Sequence, residues 1–202
     1  MSKHRLDALA DGIFAVAMTL LVIELKLPED FHPERSLDLL QVLAQLIPRF
    51  VGWVISFFVL AMFWWGQARV MHYVQRVDGR LVGLNLLLLG AASLMPFASA
   101  ITGQMPKLLG GQIVYSTAML LLCLPAFLLW RHVRRHPELC DTPLPESLYA
   151  ESRFRIGALV AISIAAIAIA NVIPAGGNIA FMLMIPAGRV GRRIRERHAQ
   201  QE

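Results

Sequence analysis

The stretch Leu6-Asp7-Ala-Leu9-Ala-Asp11-Gly12-Ile-Phe-Ala-Val16-Ala-Met-Thr19-Leu20-Leu-Val-Ile23-Glu24-Leu-Lys26-Leu27 decides the fold. It is apolar over the roughly 20 residues that a helix needs to cross a hydrocarbon core, yet it carries carboxylates inside that length. Five further apolar runs follow, at about 48–70, 81–102, 108–131, 155–174 and 175–190. The middle four have no charged residue in their cores, whereas the last is short and reaches Arg189 only if that side chain snorkels. Backbone polar groups inside lipid must be satisfied within the segment, so each run reads as a helix. The expected fold is therefore all-α and integral to a membrane: one domain, 1–202, of six transmembrane helices (6–27 being the first), with no re-entrant pore loop.

The composition agrees. Of 202 residues, 56 % are hydrophobic and 16 % charged, against about 45–50 % and 25 % for soluble domains. Mean hydropathy is +0.57. High hydrophobicity with low charge excludes a disordered chain. Two cysteines, Cys123 in an apolar run and Cys140 in a polar one, exclude a disulfide scaffold.

The basic residues test the helix count. With a cytoplasmic amino terminus, six crossings place Lys3, Arg5, Arg69, Arg76, Arg80, Arg131, Arg134, Arg135, Arg153, Arg155, Arg189, Arg192, Arg193, Arg195 and Arg197 inside. Only Lys26, Arg35, Arg49 and Lys107 fall outside or near the outer ends. That split follows the positive-inside rule, and five crossings would break it. Both termini are expected in the cytoplasm, and the basic excess faces anionic headgroups rather than nucleic acid. The first run is read as a retained helix, because Asp11 interrupts any signal-peptide core.

Between the runs, Leu37–Leu46 is expected to form a short surface helix started by Ser36. Residues 132–155 form the longest loop, broken by Pro137, Pro143 and Pro145. Gly157, Ala161, Ala165 and Ala168 recur at helical spacing in the fifth run and read as a packing stripe. Pro96 and Pro125 are expected to kink or end their helices.

Charge within a span is costly and points to a partner or a wet cavity. On a wheel of about 100° per residue, Leu9, Val16, Leu20, Ile23 and Leu27 fall on one stripe, with Thr19 on its edge. Asp11 falls on the opposite side, where a buried carboxylate needs donors from a neighbouring helix or must stay protonated. Glu24 lies on the flank near the outer end. Spacing alone leaves the aliphatic stripe as a packing surface or a pathway lining.

The segment Arg5-Leu-Asp-Ala-Leu9-Ala-Asp11-Gly12 resembles the R-x-x-x-F-S-D-G signature of the transmembrane protein 175 family, endolysosomal potassium channels and their bacterial relatives. Arg5, Asp11 and Gly12 match; Leu9 and Ala10 depart. Trp64, Asn85 and Pro96-Phe97 extend the resemblance over about the first hundred residues. Relatives often carry histidine soon after the tryptophan, where Gln67 and Ala68 stand here. The resemblance implies a potassium-permeable channel without a carbonyl filter, and no T-V-G-Y-G-like loop occurs in the chain. It implies a homotetramer in the cell membrane whose first helices line the pore. The pore positions it implies are Val16, Leu20 and Ile23 for constriction and Thr19 for selectivity. By its position near the outer end, Glu24 is expected to be an outer vestibule charge or the partner of Lys26 or another loop residue, and Arg5, Asp11 and Gly12 are assigned to structure. No cofactor is expected, only permeant potassium and surrounding lipid.

A proton-coupled secondary transporter, with Asp11 as the titrating group, is the alternative. An enzyme is not expected. His132 and His136 are the only histidines at H-x-x-x-H spacing and could hold a metal, but no nucleophile elbow, phosphate loop or cysteine pair accompanies them.

Overall fold

The computed structural model describes residues 2–23, 25–27, 36–173 and 177–199. Its long helices are α1 (Lys3–Ile23), α3 (Ile47–Tyr73), α4 (Gly79–Gln104), α5 (Leu109–Arg135) and α6 (Glu146–Val172). α2 (Ser36–Gln45) is the short helix expected before the second run. Among the described residues, α1, α3, α4, α5 and α6 are long and apolar enough to cross a membrane.

The last run is built differently. α7 (Gly177–Ala180) passes through a 3₁₀ turn, Phe181–Leu183, into α8 (Met184–Ala199). Phe181 packs edge-on against Tyr115 near the start of α5, with ring centroids 5.2 Å apart. Arg195 reaches Glu151 near the start of α6. The fourteen-residue path from Phe181 to Arg195 thus runs back along the bundle, a length of about 21 Å at 1.5 Å per helical residue.

Loop contacts set the antiparallel order. Tyr73 and Val74 at the end of α3 meet the 136–145 connection: Val74 bridges Cys140, and Gln75 N–H donates to Leu139 C=O at 2.7 Å. α4 begins with Asp78 as its cap, its carboxylate accepting from Leu81 N–H at 2.7 Å. The 132–155 loop is much shorter than its prolines suggest. α5 continues to Arg135, and α6 already starts at Glu146, immediately after Pro145. Pro145 precedes the first turn, where its missing N–H costs nothing. Pro96 and Pro125 lie inside α4 and α5 without ending either helix.

α4 and α5 form the centre, enclosed by their neighbours over more of their length than the other spans. α1 lies on one flank, packed on α3 and α4, while α6 and α8 lie on the other. Cys123 and Cys140 are both free, as their settings suggested. The stripe of Gly157, Ala161 and Ala168 is exposed in the single chain. α6 instead turns Leu159, Ile162, Ser163 and Ala166 inward, and only Ala165 of the stripe is half-buried beside them.

Candidate permeation site

α1 shows two unlike sides. Leu6, Ala10, Phe14, Ala17 and Leu21 recur at three- and four-residue intervals and are buried against α3 and α4. The two alanines let the helices approach closely, and Phe14 fills the seam. This clamp holds only about a third of the helix circumference. Val16, Leu20 and Ile23 stand outside it, 56 %, 41 % and 50 % exposed. Val22 and Leu9 are exposed as well, so the uncovered surface is broader than the stripe.

Thr19 is exposed beside them, and its hydroxyl donates to the Val16 carbonyl at 2.9 Å. That bond uses the hydroxyl proton and leaves oxygen lone pairs available to a cation. Glu24 lies outside the described residues. α1 ends at Ile23 rather than Leu27, and residues 25–27 are not helical. The following Pro28 gives a reason, since it disfavours helical backbone at the residue before it.

Asp11 is exposed in the single chain rather than buried, and it has found its donor. Trp64 Nε1 donates to Asp11 Oδ1 at 2.7 Å, joining α1 to α3. Arg5 is exposed near the amino-terminal end of α1. Gly12 is exposed too, with nothing within 4 Å of where a Cβ would sit, so packing inside one protomer does not require glycine there.

The second-helix departures form a separate link. Gln67 Nε2 donates to Asn85 Oδ1 at 3.2 Å, and Asn85 Nδ2 donates to Leu81 C=O at 3.0 Å. Both side chains are buried. Gln67 therefore ties α3 to α4, while Trp64, one turn earlier, ties α3 to α1. Ala68 is only partly buried and has no polar group to join either link.

Two polar clusters escaped the sequence reading. Near the start of α3, the Ser56 hydroxyl lies 3.1 Å from that of Ser99 and 3.0 Å from that of Tyr115, beside a cavity of about 440 Å³ that Arg49 also lines. Near the other end, Glu151 takes Arg155 at 2.7 Å, Arg69 at 3.3 Å and Arg195 at 3.5 Å. The Glu151–Arg155 spacing of four residues was visible as a helical ion pair, but the other two arginines are remote in sequence. His132 Nε2 lies 2.9 Å from Asp78 Oδ2, and His136 Nδ1 lies 2.9 Å from the His132 carbonyl. Among the described residues no group of three or more metal-ligating side chains occurs.

The family described as endosomal/lysosomal potassium channel TMEM175 matches residues 5–96, the part that carries α1, the Asp11–Trp64 bond and the Gln67–Asn85 pair. A potassium channel of Streptomyces collinus is 32 % identical over 161 residues, covering 77 % of each chain. The chain belongs to the TMEM175 family. A crystal structure described as a lysosomal potassium-selective channel TMEM175 homolog from Chamaesiphon minutus superposes with a TM-score of 0.75. It is 25 % identical and covers 94 % of this chain and 97 % of that one. A chicken relative is named an endosomal/lysosomal proton channel TMEM175; it is 28 % identical over 114 residues, 52 % of this chain and 22 % of its own length. The TMEM175 protein described here is accordingly a multi-pass membrane cation channel and not an enzyme.

Proposed function

We propose that this TMEM175 protein conducts potassium through a pore lined by α1 from four copies, with Val16, Leu20 and Ile23 as the constriction. The observation that carries the reading is the one-sided anchoring of α1. Its clamped face is satisfied by α3 and α4, while Val16, Leu20, Ile23 and Thr19 stay exposed among the described residues. Four helices on a square, about 10 Å apart between neighbours, place each axis about 7 Å from the centre. A helix with its side chains has a radius of about 5–6 Å. The remaining lumen radius of about 1–2 Å is close to the 1.4 Å of one water molecule. Aliphatic rings at that width gate by dewetting, and Thr19 supplies the oxygen ligands that they lack.

The same proposal places six crossings in each subunit and both termini in the cytoplasm of a cell-membrane protein. The return path from Phe181 to Arg195 supports a sixth traverse, and the grouping of Arg69, Arg155 and Arg195 supports a common basic end. Glu24 is assigned to the outer vestibule. Arg5, Asp11 and Gly12 are assigned to helix anchoring and association, with the Trp64 bond as the support for Asp11. No cofactor is needed beyond the permeant ion.

The test is ion flux from vesicles holding the purified protein, with matched potassium and sodium gradients and a pH reporter inside. A potassium current larger than the sodium current supports the reading. Solute uptake that requires a proton gradient, vanishes in Asp11→Asn and brings no channel-like current would replace it with proton-coupled transport.

A further inference from the structure

At the basic end of the bundle the protein holds one carboxylate among three guanidinium groups. Glu151 is almost wholly buried, its side chain 2 % exposed, and it meets all three arginines. Among the described residues, Arg69 and Arg195 each meet Glu151 through a single nitrogen, at 3.3 and 3.5 Å. A guanidinium carries five N–H donors in a fork suited to two-point capture of a phosphate. Both arginines remain partly exposed, and both line an open cleft of about 520 Å³ between the end of α3, the start of α6 and α8. His72, Tyr73 and Ser147 complete the polar side of that cleft, while Leu148 and Pro145 supply an apolar flank. Its described lining contains no acidic side chain, and Glu151, which pairs with both arginines, is not part of it.

We infer that this cleft binds a phosphate group of net negative charge, gripped by Arg69 and Arg195 with His72 and Ser147 alongside. The buried Glu151 acts as the splint that holds the two forks in place, as a carboxylate in the second layer of an anion site does. The cleft sits at the ends of two apolar spans, α3 and α6, and basic pockets between membrane helices at span ends take phosphate headgroups. A soluble phosphate offers the same chemistry. This inference needs only the membrane embedding of the bundle, not the pore assignment, and its readout is binding rather than flux.

The experiment follows thermal unfolding of the full chain in neutral detergent at low salt. Phosphatidylglycerol, phosphatidylcholine or inorganic phosphate is titrated in. Phosphatidylglycerol raises the midpoint by several degrees, phosphatidylcholine does not, and Arg195→Gln weakens half-saturation roughly five- to tenfold. His72→Gln gives a smaller shift and serves where Arg195→Gln does not fold. Arg153→Gln, outside the cleft, leaves half-saturation unchanged. Inorganic phosphate alone producing the same stabilisation and the same sensitivity to Arg195→Gln identifies a soluble anion as the ligand of the same site. Equal stabilisation by phosphatidylcholine overturns the inference, and so does a phosphatidylglycerol effect that survives both cleft variants.

Discussion

Replacing Ile23 by asparagine tests the pore assignment most directly, because symmetry multiplies a small local change. Ile23 is 50 % exposed in the protomer. Full burial of an isoleucine side chain is worth about 1.5–3 kcal/mol, so its exposed half represents about 0.7–1.5 kcal/mol of resistance to wetting. Four copies in one ring sum to about 3–6 kcal/mol, and each 1.4 kcal/mol is a factor of ten, so the ratio of wet to dry pores rises by about 10²–10⁴. The assay is single-channel recording and vesicle flux on protein whose assembly size is checked by light scattering. Ile23→Asn is expected to raise basal potassium leak by at least tenfold. A matching change in Leu87, which is exposed on α4, is expected to leave leak unaltered. Wild-type conductance and open probability in an intact Ile23→Asn assembly would show that this face of α1 does not border the path.

Thr19→Val keeps the shape of the side chain and removes its oxygen, so the potassium-to-sodium permeability ratio is expected to fall while conductance persists; an unchanged reversal potential under mixed gradients removes Thr19 from selectivity. Asn85→Leu strands the Gln67 amide between α3 and α4. Hydrogen bonds between membrane helices average about 0.6 kcal/mol and reach about 1.7, so stability is expected to drop by about 1–2 kcal/mol, read as a lower unfolding midpoint with ion selectivity retained. The Asp78 carboxyl lies below its ordinary value: partial burial pushes it up, but the Leu81 N–H and His132 together outweigh that and hold it down. A depressed carboxyl contributes stability above its unfolded value and loses that contribution as pH falls through the folded one. The wild type is therefore expected to lose stability on acidification below about pH 4, and Asp78→Ala to be about 0.5–2 kcal/mol weaker at neutral pH with a flatter acid limb. Parallel acid limbs for the two proteins in a pH series of unfolding midpoints would refute that account.

Much of the helical framework could be read from residue order, because hydrocarbon imposes a length and an apolarity that few other constraints imitate. The charge-free runs in α3, α4 and α5 fall close to the helices that contain them. Helix ends were less legible where polar residues continue a helix into water. α6 gains the turns from Glu146 to Arg155 because they satisfy charge through Glu151 and Arg155 rather than through apolarity. The 3.6-residue period marks the aliphatic side of α1 but not its clamped face, which holds Leu6, Ala10, Phe14, Ala17 and Leu21 rather than the exposed Asp11. The period does not say which uncovered residues approach a symmetry axis, since Val22 and Val16 are both exposed. The need of Asp11 for a donor was also readable, but the identity of Trp64 as that donor depends on the relative rotation of α1 and α3, which local pattern leaves open. The cage around Glu151 was hidden for the same reason, since Arg69 and Arg195 lie 82 and 44 positions away from it.

The Asp11–Trp64 bond has a bearing on how subunits come to exist at all. Asp11 lies eight residues into a 21-residue helix, about 12 Å along a rod of about 31 Å, which is near mid-bilayer depth. A carboxylate facing acyl chains there is penalised by about 2.5–3.5 kcal/mol, and one indole proton shields a single oxygen. An isolated protomer is thus an unhappy guest in the bilayer. In the proposed tetramer, companion copies that sheltered this side chain would recover the penalty, so association itself would steady each embedded subunit.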